Sequence, residues 1–403
     1  MNDDKTTIEF VNHASVLIRF GKIGILSDPW YSKSVFHHGW RLLHENEDKY
    51  IDEVLDRTSH IYISHEHPDH FNPGFLLTDE IKKKIIKKRI IFLFQETKDK
   101  RVISFLKKKG FEVQEFNQKK NKIESLIEIE IVKHDFYDSS ISIKTPDIKI
   151  LNLNDCPLRD VIDIKKFKKK YGTFDVLLTQ FSYAAWKGGK KGKIFRENAA
   201  KEKLTDICNQ SKILNCKKVI PFASFVYFSN KMNFYMNDSI NVPDKACEYL
   251  IENGVNPVIM QPGEKQDLTE LRQDKNSLEF WKNKYQFSNT NKTIDHYKEN
   301  NTFDDLKKDF ISYQKKIFSK NSKTLIYLLH KFSFLGAFKK INIFLLDRNE
   351  NYEYSIFSGL KKISETQYDI SMHSESLSFI FKNEFGFDTL TVNGCFECEP
   401  KNF

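Results

Sequence analysis

The chain carries 403 residues with a formal net charge of +9, and 30% of them are charged against 40% hydrophobic. A mean hydropathy of -0.53 excludes a polytopic membrane protein, and no stretch approaches the roughly 18 to 20 apolar residues that span a bilayer. Single cores usually stop growing near roughly 250 to 300 residues, so two domains are expected. The N-terminus, MNDDKTTIEF, has no basic segment followed by an apolar one, which makes a cytoplasmic location the default expectation. Six scattered cysteines, Cys156, Cys208, Cys216, Cys247, Cys395 and Cys398, read as reduced thiols rather than a disulfide framework. Lysine-rich segments such as IKKKIIKKR read as solvated helix faces, although part of the positive charge suits a phosphate-bearing substrate.

In chain order, IEFVNHASVLIRFGKIGILSDPW predicts short strands joined by a tight turn at Gly21 and Lys22. A loop rich in aromatics and histidines follows over residues 30 to 45, then a polar helix and the buried strand HIYIS. Asn72 and Pro73 have the residue types of a helix N-cap and first helical position. Strands and helices then alternate: strands at 90–94, 127–132, 140–144, 148–153, 176–180, 219–222 and 257–260, with helices closed by Gly110 and Gly254 and others near 163–171 and 197–214. This rhythm predicts an α/β domain over residues 1–265. Residues 266–324 are polar and read as a linker with some helix, and residues 325–403 as a small α+β domain.

The segment ISHEHPDHF places three histidines and an aspartate in six residues where a buried strand ends. Imidazole and carboxylate are good ligands for zinc, iron and related metals. In an extended segment His65 and His67 share one face, and a turn after Pro68 brings Asp69 and His70 to an adjacent second centre. His134 and Asp155 each follow a predicted strand and can complete the set, with Asp155 the natural bridging carboxylate. His13 and Asp28, at the ends of early strands, are candidates to brace the ligands. The loop AAWKGGKKGK, with Trp186, Lys187, Lys190 and Lys191, suits the phosphate of a sugar or nucleotide. His37, His38 and His44, near Trp30, Trp40 and Arg41, are candidates for a substrate wall.

His65-Glu66-His67-Pro68-Asp69-His70, with His134 and Asp155 later, resembles the HxHxDH signature of the metallo-β-lactamase superfamily. That resemblance implies an αββα sandwich with His65, His67 and His134 at one metal, Asp69 and His70 at the other, and Asp155 shared. The segments VNHASVLIRFGKIGILSDPW, HGWRLLHE, ILNLNDCPL, IPFASF and GFDTLTVNG resemble the CMP-N-acetylneuraminate hydroxylase family, including bacterial relatives acting on amino-sugar nucleotides. The C-terminal piece more faintly resembles a sterol-carrier-type fold. Two departures stand out. The Cys-x-His and Cys-x-x-His pairs of a Rieske domain do not occur, and Asn230 occupies the nearest match to a fifth superfamily histidine.

Three activities follow from these readings. The first is a metal-dependent hydrolase, with two divalent ions, zinc first and iron or manganese as alternatives, and with Asp69 orienting the attacking water toward an ester, lactone, amide or phosphodiester. The second is a di-iron oxygenase hydroxylating an N-acyl amino-sugar nucleotide with electrons from a separate protein. The third is a non-catalytic binding protein. Nucleic acid is not an expected partner, because the basic residues form no recognisable module with the aromatics.

Overall fold

Period-two burial organises the first strands: Ile8, Phe10, Val16, Ile18, Ile23, Ile25, Tyr62 and Leu93 enter one core, while Leu17, Leu26, Ile61 and Phe92 enter another. Successive side chains of a strand face opposite sides, so such a sheet is covered on both faces. The computed structural model describes residues 5–117, 121–123, 127–135, 137–287, 292–298, 300–332 and 339–398. Its first sheet runs in the order Lys265–Asp267, Thr7–Asn12, Ser15–Phe20, Ile23–Ser27, His60–Tyr62, Ile91–Gln95, Glu112–Phe116. The second runs Lys218–Phe222, Val176–Gln180, Lys149–Asn154, Ser139–Lys144, Ile127–Lys133, Asn121–Ile123.

The inner faces of the two sheets meet in one core, where Phe10, Tyr62 and Leu93 join Ile129, Ile131, Ile141, Ile150 and Leu177. Helices Asp48–Asp56, Asp79–Lys88 and Arg101–Lys108 cover the outside of the first sheet through Val54, Leu55, Ile85 and Leu106. Helices Val161–Tyr171 and Lys193–Leu214 bring Ile164, Leu204 and Ile207 to the second. The layering is αββα, as expected. Among the described residues no helix is long and apolar enough to cross a membrane, and all six cysteines are free thiols.

Two sequence expectations change. The predicted strand at 257–260 is only a single bridge, Val219 to Pro257, because the Gln273 side-chain amide takes both backbone groups of Ile259. The sandwich core also continues past residue 265: Lys265–Asp267 is a strand of the first sheet, and Leu268, Leu271, Trp281 and Tyr285 are buried in the shared core.

A separate core lies at a five-stranded sheet ordered Gly359–Ile363, Glu350–Ser355, Ile341–Leu345, Ile370–Met372, Phe396–Cys398. Helix Phe303–Lys320, in the segment read as linker, packs Leu306 and Phe310 into it. This C-terminal unit is tied to the sandwich at several points. Asn393 Nδ2 donates to Phe36 O at 3.0 Å, Asn233 Nδ2 donates to Asn393 O at 2.6 Å, and Trp186 N donates to Thr391 O at 2.8 Å.

His37 belongs to the same seam, stacked on Phe379 at 4.1 Å and on Tyr297 at 4.9 Å, with Glu375 Oε1 3.3 Å from its Nε2. Burial pushes its imidazole down to about 4; Glu375 opposes that, while His38 and His373 reinforce it. A histidine depressed in the folded state binds fewer protons there than when unfolded, so stability is lost as pH falls from about 6.5 toward 4. We expect acidification from pH 7.5 to 5.0 to lower the melting temperature more in the wild type than in His37→Phe. Equal shifts would sink this assignment.

Candidate metal centre

His13, Asp28, His65, His67, Asp69, His70 and Asp155 lie at one edge of the sandwich, where strands of both sheets end. Ile23–Ser27 and His60–Tyr62 run parallel, so their following residues emerge side by side. Asp28 there receives hydrogen bonds from Ser64 N and Ser64 Oγ, each at 2.8 Å, and from His70 Nδ1 at 2.9 Å. The opposite sheet is pinned to the same point, because Ser139 Oγ donates to Ser64 O at 2.6 Å and Tyr62 Oη donates to Ser139 O at 2.8 Å. His13, Asp28 and Asn154 have positive φ angles of 30°, 36° and 51°. Left-handed backbone in non-glycine residues costs on the order of 1–3 kcal/mol and persists where surrounding structure imposes it. Here it turns the chain sharply at three strand ends beside the cluster.

The ligand atoms form two groups, His65, His67 and Asp155 in one and His13, Asp69 and His70 in the other, each within 4.8 Å. His65 Nε2 lies 2.9 Å from His67 Nδ1 and 3.8 Å from Asp155 Oδ2. His70 Nε2 lies 3.4 Å from Asp69 Oδ2 and 3.7 Å from the same Asp155 oxygen, while His13 Nε2 lies 3.4 Å from Asp69 Oδ2. Asp155 therefore stands at the junction of the two groups.

The donor set fits metal ions. Ser64 Oγ gives its proton to Asp28, so the 2.9 Å contact with His65 Nδ1 makes that nitrogen the donor and leaves His65 Nε2 a bare lone pair. That lone pair faces His67 Nδ1, and two imidazole nitrogens at this distance need a shared cation or proton. Asp69 Oδ1 and Asp155 Oδ1 are buried with no hydrogen-bond partner among the described residues, although buried carboxylate oxygens are nearly always satisfied. Burial opposes charge on Asp69, yet His70 and His13 hold its carboxyl well below the usual range. Burial likewise opposes ionisation of Asp155, but His65 and His70 bring it to about 2. Burial pushes the His65 imidazole down to about 3, against Asp155, and so keeps it neutral, the form that ligates.

The expected ligands fall out as follows. His65, His67, Asp69, His70 and Asp155 converge, and Asp28 touches His70 as a brace should. His13, read as a brace, instead stands among the candidate ligand atoms, grouped with Asp69 and His70. Asn230 is buried elsewhere, bridged to Asp295. His134 is not brought to the cluster: its Nε2 is 2.8 Å from Ser140 Oγ and its ring stacks on Phe167 at 5.9 Å. The same turn delivers Asp138, a residue that sequence reading missed, to the cavity wall beside Asp69 and Asp155. Burial, with Asp155 next, pushes the Asp138 carboxyl up to about 7. An acidic residue just before the alternating strand at 139–144 was the available signal.

The cluster opens into a cavity of about 340 Å³. Its lining includes the apolar Phe36, Trp40, Tyr183 and Val392, the cations Arg159, Lys187 and Lys203, and the carboxylates Glu202 and Asp206. Val392 comes from the C-terminal unit, which thus closes the site. Of the loop AAWKGGKKGK, Ala184, Ala185 and Lys187 line this cavity, Lys187 being the one lysine among them. Trp186 stacks on Phe396 at 5.0 Å, Lys190 N donates to Glu397, and Lys191 borders a separate groove, so these three serve or flank the seam between units. Trp40 lines the cavity as expected of a substrate wall, whereas Arg41 pairs with Asp295 and His38 contacts Ser34. His44 packs edge-on against Phe280.

No family model matches the chain. Among curated proteins it is 23% identical over 277 residues to a cytidine monophosphate-N-acetylneuraminic acid hydroxylase of Danio rerio, covering 64% of this chain and 44% of that protein. It is 25% identical over 277 residues to the Xenopus laevis protein of the same name, covering 63% and 44%. The chain thus spans less than half the length of these relatives. Among solved structures, CmlA, a diiron β-hydroxylase from Streptomyces venezuelae, shows a TM-score of 0.45 at 16% identity, over 66% of this chain and 54% of that one. A possible metal-dependent hydrolase from Veillonella parvula shows 0.48 at 13% identity, over 65% and 99%. Its two-sheet sandwich, with the His65-to-His70 loop at the sheet edge, makes this chain a protein of the metallo-β-lactamase fold, similar in sequence to cytidine monophosphate-N-acetylneuraminic acid hydroxylases.

Proposed function

We propose that the chain is a dinuclear non-haem iron oxygenase that hydroxylates a small substrate. The observation that carries this reading is the composition of the two groups: each offers two imidazoles and one carboxylate, the donor set suited to ferrous iron with open positions for oxygen and substrate. His65, His67 and Asp155 would hold one ion and His13, Asp69 and His70 the other, with Asp155 between them. The likeness to proteins named as hydroxylases supports the same chemistry. When bound, the metals supply activation of dioxygen.

The chain's own residues supply position and proton control. Asp28 and Ser64 orient His70 and His65, so that their Nε2 atoms face the centre. Asp138, with a carboxyl near neutrality, can give or take a proton at the cavity wall. Phe36, Trp40, Tyr183 and Val392 limit water around the reacting group.

A second reading, a hydrolase using metal-activated water, is favoured by one sequence fact. Hydrolysis needs no electron donor, and these 403 residues hold no Rieske cysteine-histidine pairs that would supply electrons for hydroxylation. Elemental analysis of protein purified without added metal, with oxygen uptake under a chemical reductant, separates the two. Stoichiometric iron and reductant-dependent uptake are expected. Zinc without uptake transfers the assignment to the hydrolase, and a metal-free protein that does not take up metal on reconstitution overturns both.

A further inference from the structure

We propose that Lys203, supported by Arg159 and Lys187, is the anion anchor of this cavity, and that the substrate is therefore a compact organic anion, a phosphate monoester or a carboxylate. The inference rests on reading the cavity as the substrate site of a metalloenzyme, and it adds the chemical class of the molecule that enters.

Helix Lys193–Leu214 presents Ala199, Glu202, Lys203 and Asp206 to the cavity, residues spaced three and four apart and hence on one helix face. Lys203 is half-buried, and its only hydrogen bond among the described residues goes to the neutral amide oxygen of Gln180. No carboxylate lies within ion-pair distance of its Nζ among the described residues. Taking an ammonium out of water without a countercharge is unfavourable, so lysines in such places are normally paired. Burial, and next the Arg159 charge, pull the Lys203 ammonium down to about 8, with Asp155 and Asp206 opposing and Lys187 adding to the fall.

Two further cations face the same space. Arg159 follows Asp155 by four residues, and among the described residues the one ion pair of its side chain is a 3.7 Å contact with Asp206; Lys187 is exposed at the rim. Three cations converge here although they repel one another, and an anion between them removes that repulsion while making charge-assisted hydrogen bonds. Trp40, Phe36 and Tyr183, which line the same cavity, suit an apolar or ring-bearing portion of the same molecule. A volume of about 340 Å³ lies at the lower end for ligand cavities, which favours a molecule of single-ring size over a polymer.

The test uses the full chain, loaded with its metal, and calorimetric titration of phenyl phosphate, benzoate and benzyl alcohol. At least one anion is expected to bind tenfold or more tightly than the neutral alcohol. Lys203→Met is expected to weaken that anion at least tenfold while leaving benzyl alcohol unchanged, and Lys203→Arg to retain most of the affinity. Preference for phenyl phosphate over benzoate assigns a phosphate ester, and the reverse assigns a carboxylate. Should Lys203→Met fail to fold by its melting curve, the Arg159→Gln/Lys187→Met double variant carries the comparison, with several-fold weaker anion binding expected. Anion affinity unchanged in the variants, or neither anion bound by the wild type, overturns the proposal. Metal content of the same samples keeps this separate from the catalytic reading: a metal-free wild type removes the latter, while the effect of Lys203 on anion binding stays measurable.

Discussion

Asp155→Ala is expected to strip both metal positions, whereas His65→Ala is expected to spare one. The reason is geometric. The Asp155 Oδ2 atom lies 3.8 Å from His65 Nε2 and 3.7 Å from His70 Nε2, so it is the one carboxylate oxygen shared by the two groups. Its removal leaves His65 and His67 with no carboxylate of their own group, and leaves Asp69 alone to balance the second ion. Metal per chain should fall from about two toward zero in Asp155→Ala and to about one in His65→Ala. Asp28→Asn should retain the ligands but lose orientation of His70, with affinity down roughly 10- to 100-fold, typical for a residue that fixes a ligand's ring. Because a ligand bound only by the folded state stabilises it, about 4 kcal/mol at a thousandfold excess over Kd, Asp155→Ala should also melt at the temperature of chelated wild type. Two metals retained by Asp155→Ala would remove the bridging role.

The second large effect concerns Gly39. A Cβ at this position would lie 2.3 Å from the Asn393 Cβ and 3.0 Å from Phe36 O. Neither neighbour can retreat easily. Asn393 is buried and donates to Phe36 O, and its carbonyl receives the Asn233 amide, which also holds Gly39 O at 2.9 Å. Gly39→Ala should therefore destabilise the protein by about 1–3 kcal/mol, the usual range for overpacking a filled site. The disturbance falls next to Val392, which lines the cavity, so substrate or anion affinity should fall with stability. Denaturant unfolding and binding measured on the same variant test this. Unchanged stability would show that the C-terminal unit is held elsewhere.

What was legible in the sequence was local. His65, His67, Asp69 and His70 occupy six consecutive residues, so one loop delivers four candidate ligands whatever the rest of the chain does. Asp155 was legible for a similar reason, as the first residue past a buried strand that leads to the same edge. The Asn72 cap was also readable: its side chain accepts from Phe75 N at 2.9 Å, with Pro73 opening the helix. Failure began where the direction of a side chain depends on its surroundings. His134 and Asp138 close the same turn, His134 N donating to Asp138 O at 2.8 Å, and either could have faced the histidine-aspartate cluster. Phe167 and Ser140 draw the histidine ring away, and burial beside Asp155 is left to the aspartate. Nothing in residues 134 to 138 alone makes that choice.

The sequence by itself determined the layered α/β architecture and the ligand loop, because burial alternation and a short run of imidazoles act through near neighbours. Tertiary structure alone decided that His13 joins Asp69 and His70, that Asp138 and not His134 lines the cavity, and that Val392 contributes to its wall. Those pairs are far apart along the chain, and only the pairing of strand ends and the docking of the C-terminal unit bring them within reach.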